Sequence, residues 1–291
     1  MINIEVPSTS GLIVNVALNV FSAFTAIVFN SITIQAIKKT SSLPNPLKIL
    51  LLSLALSDLA VGLVAQPLWI VNILRKKDTE VLWIIQSALA NASFLGIMAL
   101  SVDRFLAVHL HLRYRELVTY KRVLRLAILT WVLSALLSSI CCLVTENLNP
   151  FMNITIIVWS LCLIFLTVIS CRLYFAVRVH TKQIQASQLN QTALSDELAN
   201  ASRLRKSSVS SFYVNFVFLV CYLPFFCSLI NGIFFKKAAF TNSQIWQELF
   251  LLSRTLMFIN SCLNPVIYCW RMRDIRHAIK DILRNTCTYK R

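Results

Sequence analysis

The sequence predicts an all-α integral membrane protein: a seven-transmembrane helix bundle followed by a short amphipathic interfacial helix. Three observations predict it. The chain of 291 residues is 57% hydrophobic and only 14% charged, with a mean hydropathy of +0.69, whereas soluble domains carry about a quarter charged residues. Seven apolar runs are each long enough to cross a bilayer as a helix. The third observation is where the net charge of +16 sits. With the apolar runs as boundaries, one side holds only Arg75, Lys76, Lys77, Lys236 and Lys237. Arg254 lies within a span, and every other Lys and Arg falls on the opposite side. That asymmetry predicts a multi-pass protein with its amino terminus outside the cell and its carboxyl terminus in the cytoplasm. The basic residues are split among several loops and form no recognition motif, which argues against nucleic-acid binding.

The chain divides into residues 1–10, a short extracellular N-terminus; 11–270, the seven-span domain; and 271–291, an amphipathic helix with a short cytoplasmic tail. The N-terminus is too small to be a ligand-binding domain. The first span, Gly11 to Ile37, is too long for a cleaved signal peptide and lacks a basic start. It carries Asn30, a buried amide that needs a partner, and Lys38 and Lys39 stop it. The second span, Leu47 to Leu74, holds Asp58 in mid-membrane, and Pro67 is expected to kink its outer third.

The third span, Val81 to Leu110, organises the rest. Gln86, Ala90, Ser93, Ile97, Leu100 and Arg104 recur at steps of three and four, on one helical face. Gln86 and Arg104 lie roughly 27 Å apart at 1.5 Å per residue. A polar seam on a membrane-length helix belongs inside a bundle, away from lipid. The seam ends in Asp103-Arg104-Phe105.

The fourth span runs from Val123 to Val144 and contains Trp131. The fifth runs from Phe151 to Val179. His180 to Arg203 reads as a polar inner loop whose flanks continue the helices. The sixth span, Lys206 to Phe235, is kinked at Pro224, and the seventh is Gln244 to Trp270. From Arg271 to Arg284 the residues Met272, Ile275, Ile279, Ile282 and Leu283 form one apolar stripe under basic cover, the pattern of a helix lying on the inner leaflet. No internal repeat is evident, which argues against inverted-repeat transporters.

Eight of the nine cysteines fall in or at the ends of apolar runs and the outer loops contain none, so no extracellular disulfide is expected. The ninth, Cys287, follows the amphipathic helix. Asn153-Ile154-Thr155 is a glycosylation sequon near the outer surface.

Seven spans carrying these residues resemble the class A, rhodopsin-like, G-protein-coupled receptors. The motifs are Asn30, Leu54 to Asp58, Asp103-Arg104-Phe105, Trp131, Cys221-Tyr222-Leu223-Pro224, and Asn264-Pro265-Val266-Ile267-Tyr268, each on its proper helix. The resemblance implies a receptor, not an enzyme, that binds an extracellular ligand and activates a heterotrimeric G protein, with arrestin and receptor kinase as further partners. Asp103 and Arg104 would form the coupling switch; Tyr222, Pro224, Asn264, Pro265 and Tyr268 would carry the activation change. Asp58, Ser93, Asn260, Ser261 and Asn264 match the family's internal site for an allosteric sodium ion, the alternative being a hydrated polar network. No other cofactor is implied. Cys287 stands where the family is often palmitoylated.

The chain also departs from the family. The usual outer cysteine would fall at Thr79, the toggle Trp is Tyr222, and Phe105 replaces a tyrosine. Leu204 stands where a lock glutamate is common, so the inner lock to Arg104 is expected to be absent. Cys162 and Ser170 replace the proline and tyrosine of the fifth helix. A short second outer loop, with the missing helix-three cysteine and fifth-helix proline, resembles the melanocortin, adenosine and cannabinoid branch. Leu229 stands where adenosine receptors keep an Asn, and Gln66, Thr79 and Trp83 stand where melanocortin receptors keep an acidic cluster, so neither ligand is implied.

The resemblance places a pocket at the outer end, lined by Gln66, Trp83, Gln86, Ala90, Tyr222, Leu229, Arg254 and Phe258. Gln86 is neutral where aminergic receptors keep an acid, and Phe258 replaces the retinal lysine of opsins. Arg254 is the sharper feature, because an intramembrane arginine is costly. One reading gives it an anionic ligand group, helped by Gln86 and Gln66. The other gives it an internal partner, Glu248 or Glu80, or an outer-surface position. Two alternatives to the receptor reading are a seven-helix protein that binds ligand without G-protein coupling and a transporter or channel.

Overall fold

The computed structural model describes residues 8–75, 80–110, 113–145, 149–188, 195–234 and 244–288. Thr79, Lys76, Lys77, Lys236 and Lys237 lie outside the described residues. Seven described helices are long and apolar enough to cross a membrane, and no strand occurs among the described residues. Below, "outer" denotes the end at which the first helix starts.

Helix α1 is Thr9–Lys39. The Ser8 side chain accepts from the Gly11 N–H at 3.0 Å, satisfying one of the unpaired donors at a helix start. Lys38 and Lys39 close the last turn. Helix α1 turns its polar side inward: Asn15, Asn19, Ser22, Asn30 and Thr33 are buried, whereas Phe21 and Phe24 are about 70% exposed. Its amides are spent on neighbours. Asn19 Nδ2 donates to Thr255 Oγ1 at 2.9 Å, and Asn30 Nδ2 donates to the Ser261 carbonyl at 3.0 Å. Interhelical hydrogen bonds of this kind hold helices together where lipid provides no hydrophobic drive.

Helix α2 is Asn45–Arg75, with prolines at its start where the missing N–H costs nothing. Pro67 does not simply kink it. A π-helical turn covers Val61–Ala65, and the Gln66 N–H reaches back to the Val61 carbonyl. The wider turn takes up the ring and the missing donor of Pro67. Gly62 sits in that turn against α1, where an added Cβ would lie 3.0 Å from the Ala23 carbonyl oxygen.

Helix α3 is Glu80–Leu110. A single helical turn, Tyr114–Leu117, follows in the inner loop. Helix α4 is Tyr120–Thr145, tied to α2 by Trp131 Nε1 donating to Ser53 Oγ at 3.1 Å. Helices α5, Asn149–Gln188, and α6, Ser195–Phe234, each run to 40 residues. The expected loop from His180 to Arg203 is therefore mostly helix. The apolar runs mark only the lipid-crossing parts, Ile156–Ala176 and Phe212–Asn231, and polar extensions carry no periodic apolar signal. Asn153 lies on the helical backbone of α5 and Leu204 on that of α6.

Helix α7 is Gln244–Arg271 and is the most enclosed span. Helix α8 is Arg273–Thr288. It buries Ile275 and Ile282 while Arg273, Lys280 and Arg284 face outward. Cys287, expected beyond this helix, falls in its last turn; its side chain and that of Asn153 lie outside the description. Among the described residues Cys141, Cys162, Cys171, Cys221, Cys227, Cys262 and Cys269 are not in disulfides. The core runs down the bundle axis through Leu54, Phe94, Ile97, Phe218, Phe258 and Tyr268.

Candidate functional site

The seam of α3 makes side-chain polar contacts at four levels, and α7 takes part in the two outer ones. At the inner end, Arg104 is 3% and Asp103 5% exposed, so Arg104 does not snorkel to the surface. Arg104 Nε donates to Asp103 Oδ2 at 2.8 Å, and the two form an ion pair. Tyr114, from the short turn after α3, completes the arrangement. Its hydroxyl donates to Asp103 Oδ1 at 2.7 Å and accepts from Arg104 Nη2 at 3.4 Å. Burial, with the Asp103 carboxylate, pushes the Tyr114 phenol well up from its ordinary value. No motif marked Tyr114 in the sequence.

One turn above Arg104, three buried polar side chains join three helices. Ser101 Oγ on α3 donates to Asn215 Oδ1 on α6 at 2.8 Å. Asn215 Nδ2 donates to Ser170 Oγ on α5 at 2.6 Å. Asn215 was also without a sequence signal; a lone asparagine in an apolar run reveals nothing about which helices it faces.

At mid-depth, Asp58 is fully buried. Its carboxylate accepts from Ser93 Oγ at 2.9 Å and from Asn264 Nδ2 at 2.8 Å, and the Ser261 side chain also bonds to it. Asn260, one turn outward of Asn264 on the same face, is 0% exposed. Neither of its carboxamide atoms has a partner, nor does Asn264 Oδ1. Buried oxygens left with acceptor capacity beside a carboxylate fit a small hard cation. Among the described residues no His/Cys/Asp/Glu cluster suits a transition metal. Tyr268 is buried at 2%, four residues inward of Asn264 on α7.

Above this lies an aromatic layer. Tyr222 stacks on Phe218 at 3.9 Å, and its hydroxyl donates to the Ala90 carbonyl at 3.4 Å. Phe94 packs on Trp159 of α5 at 4.3 Å. Pro224 and Pro265 both sit within continuous helices.

At the outer end, Arg254 is 6% exposed. Its Nη2 donates to Gln86 Oε1 at 2.5 Å, joining α7 to α3. Its guanidinium carbon lies 4.1 Å from the centre of the Trp69 ring on α2, a cation–π contact. Gln66 is buried but turns elsewhere: its Nε2 donates to Ser22 Oγ at 2.5 Å. Glu248 accepts from the Ser8 N–H at 3.2 Å. Phe258 and Ala90 are buried, and Trp83 and Leu229 are half-buried. Trp69 is the residue that sequence reasoning missed; it reads as one more apolar position on an apolar helix.

Seven membrane-length helices, with a buried Asp-Arg pair at one end and a buried arginine at the other, define a membrane receptor architecture. A family model described as 7 transmembrane receptor (rhodopsin family) matches residues 29–268. Among curated proteins, the chain is 26% identical to the Alpha-1A adrenergic receptor of Rattus norvegicus over 69% of this chain and 51% of that one. It is 28% identical to Adenosine receptor A3 of Ovis aries, covering 89% and 86%. It is 27% identical to Adenosine receptor A2b of Mus musculus, covering 92% and 89%. The aligned region spans about half the length of the adrenergic relatives. The chain belongs to the rhodopsin-like, class A family of G-protein-coupled receptors. It is a receptor and not an enzyme.

Proposed function

We propose that this receptor binds an extracellular ligand carrying an anionic group and activates a heterotrimeric G protein. The observation that carries the reading is the position of Arg254. It lies in the outer half of α7, the helix whose inner half holds Asn264, Pro265 and Tyr268. A guanidinium is always charged, and burying it in the bundle is expensive. Its contacts with Gln86 and the Trp69 ring hold the guanidinium inside the bundle, where an anionic ligand group would be attracted to it. A ligand that engages Arg254 would bear directly on α7, and α7 is bonded to the Asp58 network through Asn264. At the far end, Asp103 holds Arg104 in a resting arrangement that a G protein would displace. Arrestin and receptor kinase follow as partners of an active receptor, and the excess of Lys and Arg on the inner side supports an extracellular amino end and a cytoplasmic carboxyl end. Asp58, Ser93, Asn260, Ser261 and Asn264 hold an allosteric sodium ion in the resting state, and Cys287 is a lipidation site.

The reading is tested by screening anionic, neutral and cationic ligands for activation of wild type and Arg254→Ala. Agonists are expected among the anions, with potency lost in the variant. An agonist equally potent on both would reject the counter-ion role of Arg254.

A further inference from the structure

The side chain that braces the Asp103–Arg104 pair stands on a support too short to hold itself. Tyr114 reaches the pair from the turn Tyr114–Leu117. That turn is closed by the Val118 N–H donating to the Tyr114 carbonyl at 2.8 Å. A single turn fixes several backbone dihedrals for one hydrogen bond, which is unfavourable in isolation. Its last carbonyls also lack partners within the helix. The orientation of the turn must therefore be fixed from outside. On one side Val118 packs against the core. On the other, α4 supplies the contact: Arg122 Nη1 donates to the Leu117 carbonyl at 3.0 Å and to the Glu116 carbonyl at 3.5 Å.

Charge alone does not account for this contact. Lys121, Arg122 and Arg125 are all exposed at the start of α4. Arg125 Nε donates to the Lys121 carbonyl at 3.3 Å, so its bond stays within α4. Arg122 instead crosses to the turn. Its Nη1 carries two hydrogens, one for each carbonyl. A cation at the last carbonyls of a helical turn is favoured by charge as well as by hydrogen bonding. Val123, the next residue, is 5% exposed, so Arg122 projects from a helix start anchored in the core. A path of bonds thus runs from α4 through the Leu117 carbonyl and the Tyr114 hydroxyl to Asp103 and Arg104.

We propose that Arg122 is a positioning residue of the coupling switch: by holding the Glu116 and Leu117 carbonyls it aims the Tyr114 hydroxyl at Asp103 and keeps Arg104 paired there. Its consequence for signalling rests on the G-protein reading. The test places a fluorotyrosine, with fluorine beside the hydroxyl, at Tyr114 of the full chain in lipid nanodiscs and reads its fluorine NMR resonance, which needs no G protein. Asp103→Ala marks the resonance of the undocked ring. Arg122→Gln should move the wild-type resonance toward that position, and Arg122→Lys, which keeps a cationic donor, should move it less. Arg125→Gln removes the same charge one turn along α4 and should leave it in place. Arg122→Met replaces Gln should that variant fail to fold. In nucleotide exchange, Arg122→Gln should raise the basal rate about threefold, and adding Tyr114→Phe should raise it no further. An unmoved resonance in Arg122→Gln, an equal shift in Arg125→Gln, or additive effects on exchange would overturn the proposal. The expected resonance shifts, with no exchange on any heterotrimer by wild type or variant, would uphold the positioning role and reject the G-protein reading instead.

Discussion

Asn215 accepts the Ser101 hydroxyl at 2.8 Å, one helical turn above Arg104, and so binds the inner half of α6 to α3. The same carboxamide donates to Ser170 at 2.6 Å. Outward movement of the inner end of α6, with Pro224 as the bend point, requires both bonds to break. Asn215→Leu is therefore expected to raise basal nucleotide exchange severalfold, and to lower thermal stability by about 1 kcal/mol. Exchange rates unchanged from wild type, in a variant that folds, would refute the clasp.

Tyr114 makes a comparable contribution at the Asp103–Arg104 pair. Tyr114→Phe removes one hydrogen bond to a carboxylate, worth about 1.5–3 kcal/mol, and should also raise basal exchange. The phenol titrates above its ordinary value of 10.0 in the folded protein. The unfolded chain then releases this proton first as pH rises. Stability from the contact is complete below that ordinary value and declines above it. Unfolding midpoints of wild type and variant should therefore converge only in strongly alkaline buffer.

The Asp58 network makes a prediction about salt identity. Replacing sodium by choline at constant ionic strength should destabilise wild type. At ten times its dissociation constant a bound ion adds about 1.4 kcal/mol. Asp58→Asn should be insensitive to the exchange. Equal sodium dependence in both proteins would leave a hydrated network as the occupant of this level.

Gly62 tests the packing of the π turn on α1. A methyl group there would meet the Ala23 carbonyl oxygen at 3.0 Å and Ala26 Cβ at 3.1 Å. Both belong to a fixed helix, so Gly62→Ala should cost about 1–3 kcal/mol by overpacking. A thermal melt with an unchanged midpoint would show that α1 gives way.

These contacts also mark what can be read from sequence. The spans were legible because apolar runs reflect lipid thickness, and Asp58, Arg104 and Pro265 were legible because their types are rare in such runs. That the flanks of the third inner loop continue α5 and α6 was legible, but how far was not, since Gln188 and Ser195 end helices in polar sequence where no apolar stripe reports them. Trp69, Tyr114 and Asn215 were missed for a different reason. Their importance lies in a partner on another helix, and nothing local to the residue encodes that partner. The π turn before Pro67 was likewise hidden: proline demands a distortion without dictating its form.

Coupling to a G protein remains the central claim, and nucleotide exchange measures it most directly. Wild-type receptor reconstituted in lipid with a panel of purified heterotrimers should accelerate exchange by at least one of them, and Arg104→Ala should abolish the acceleration. A wild-type rate indistinguishable from that of Arg104→Ala with every heterotrimer, in the presence of a ligand that demonstrably binds, would contradict it.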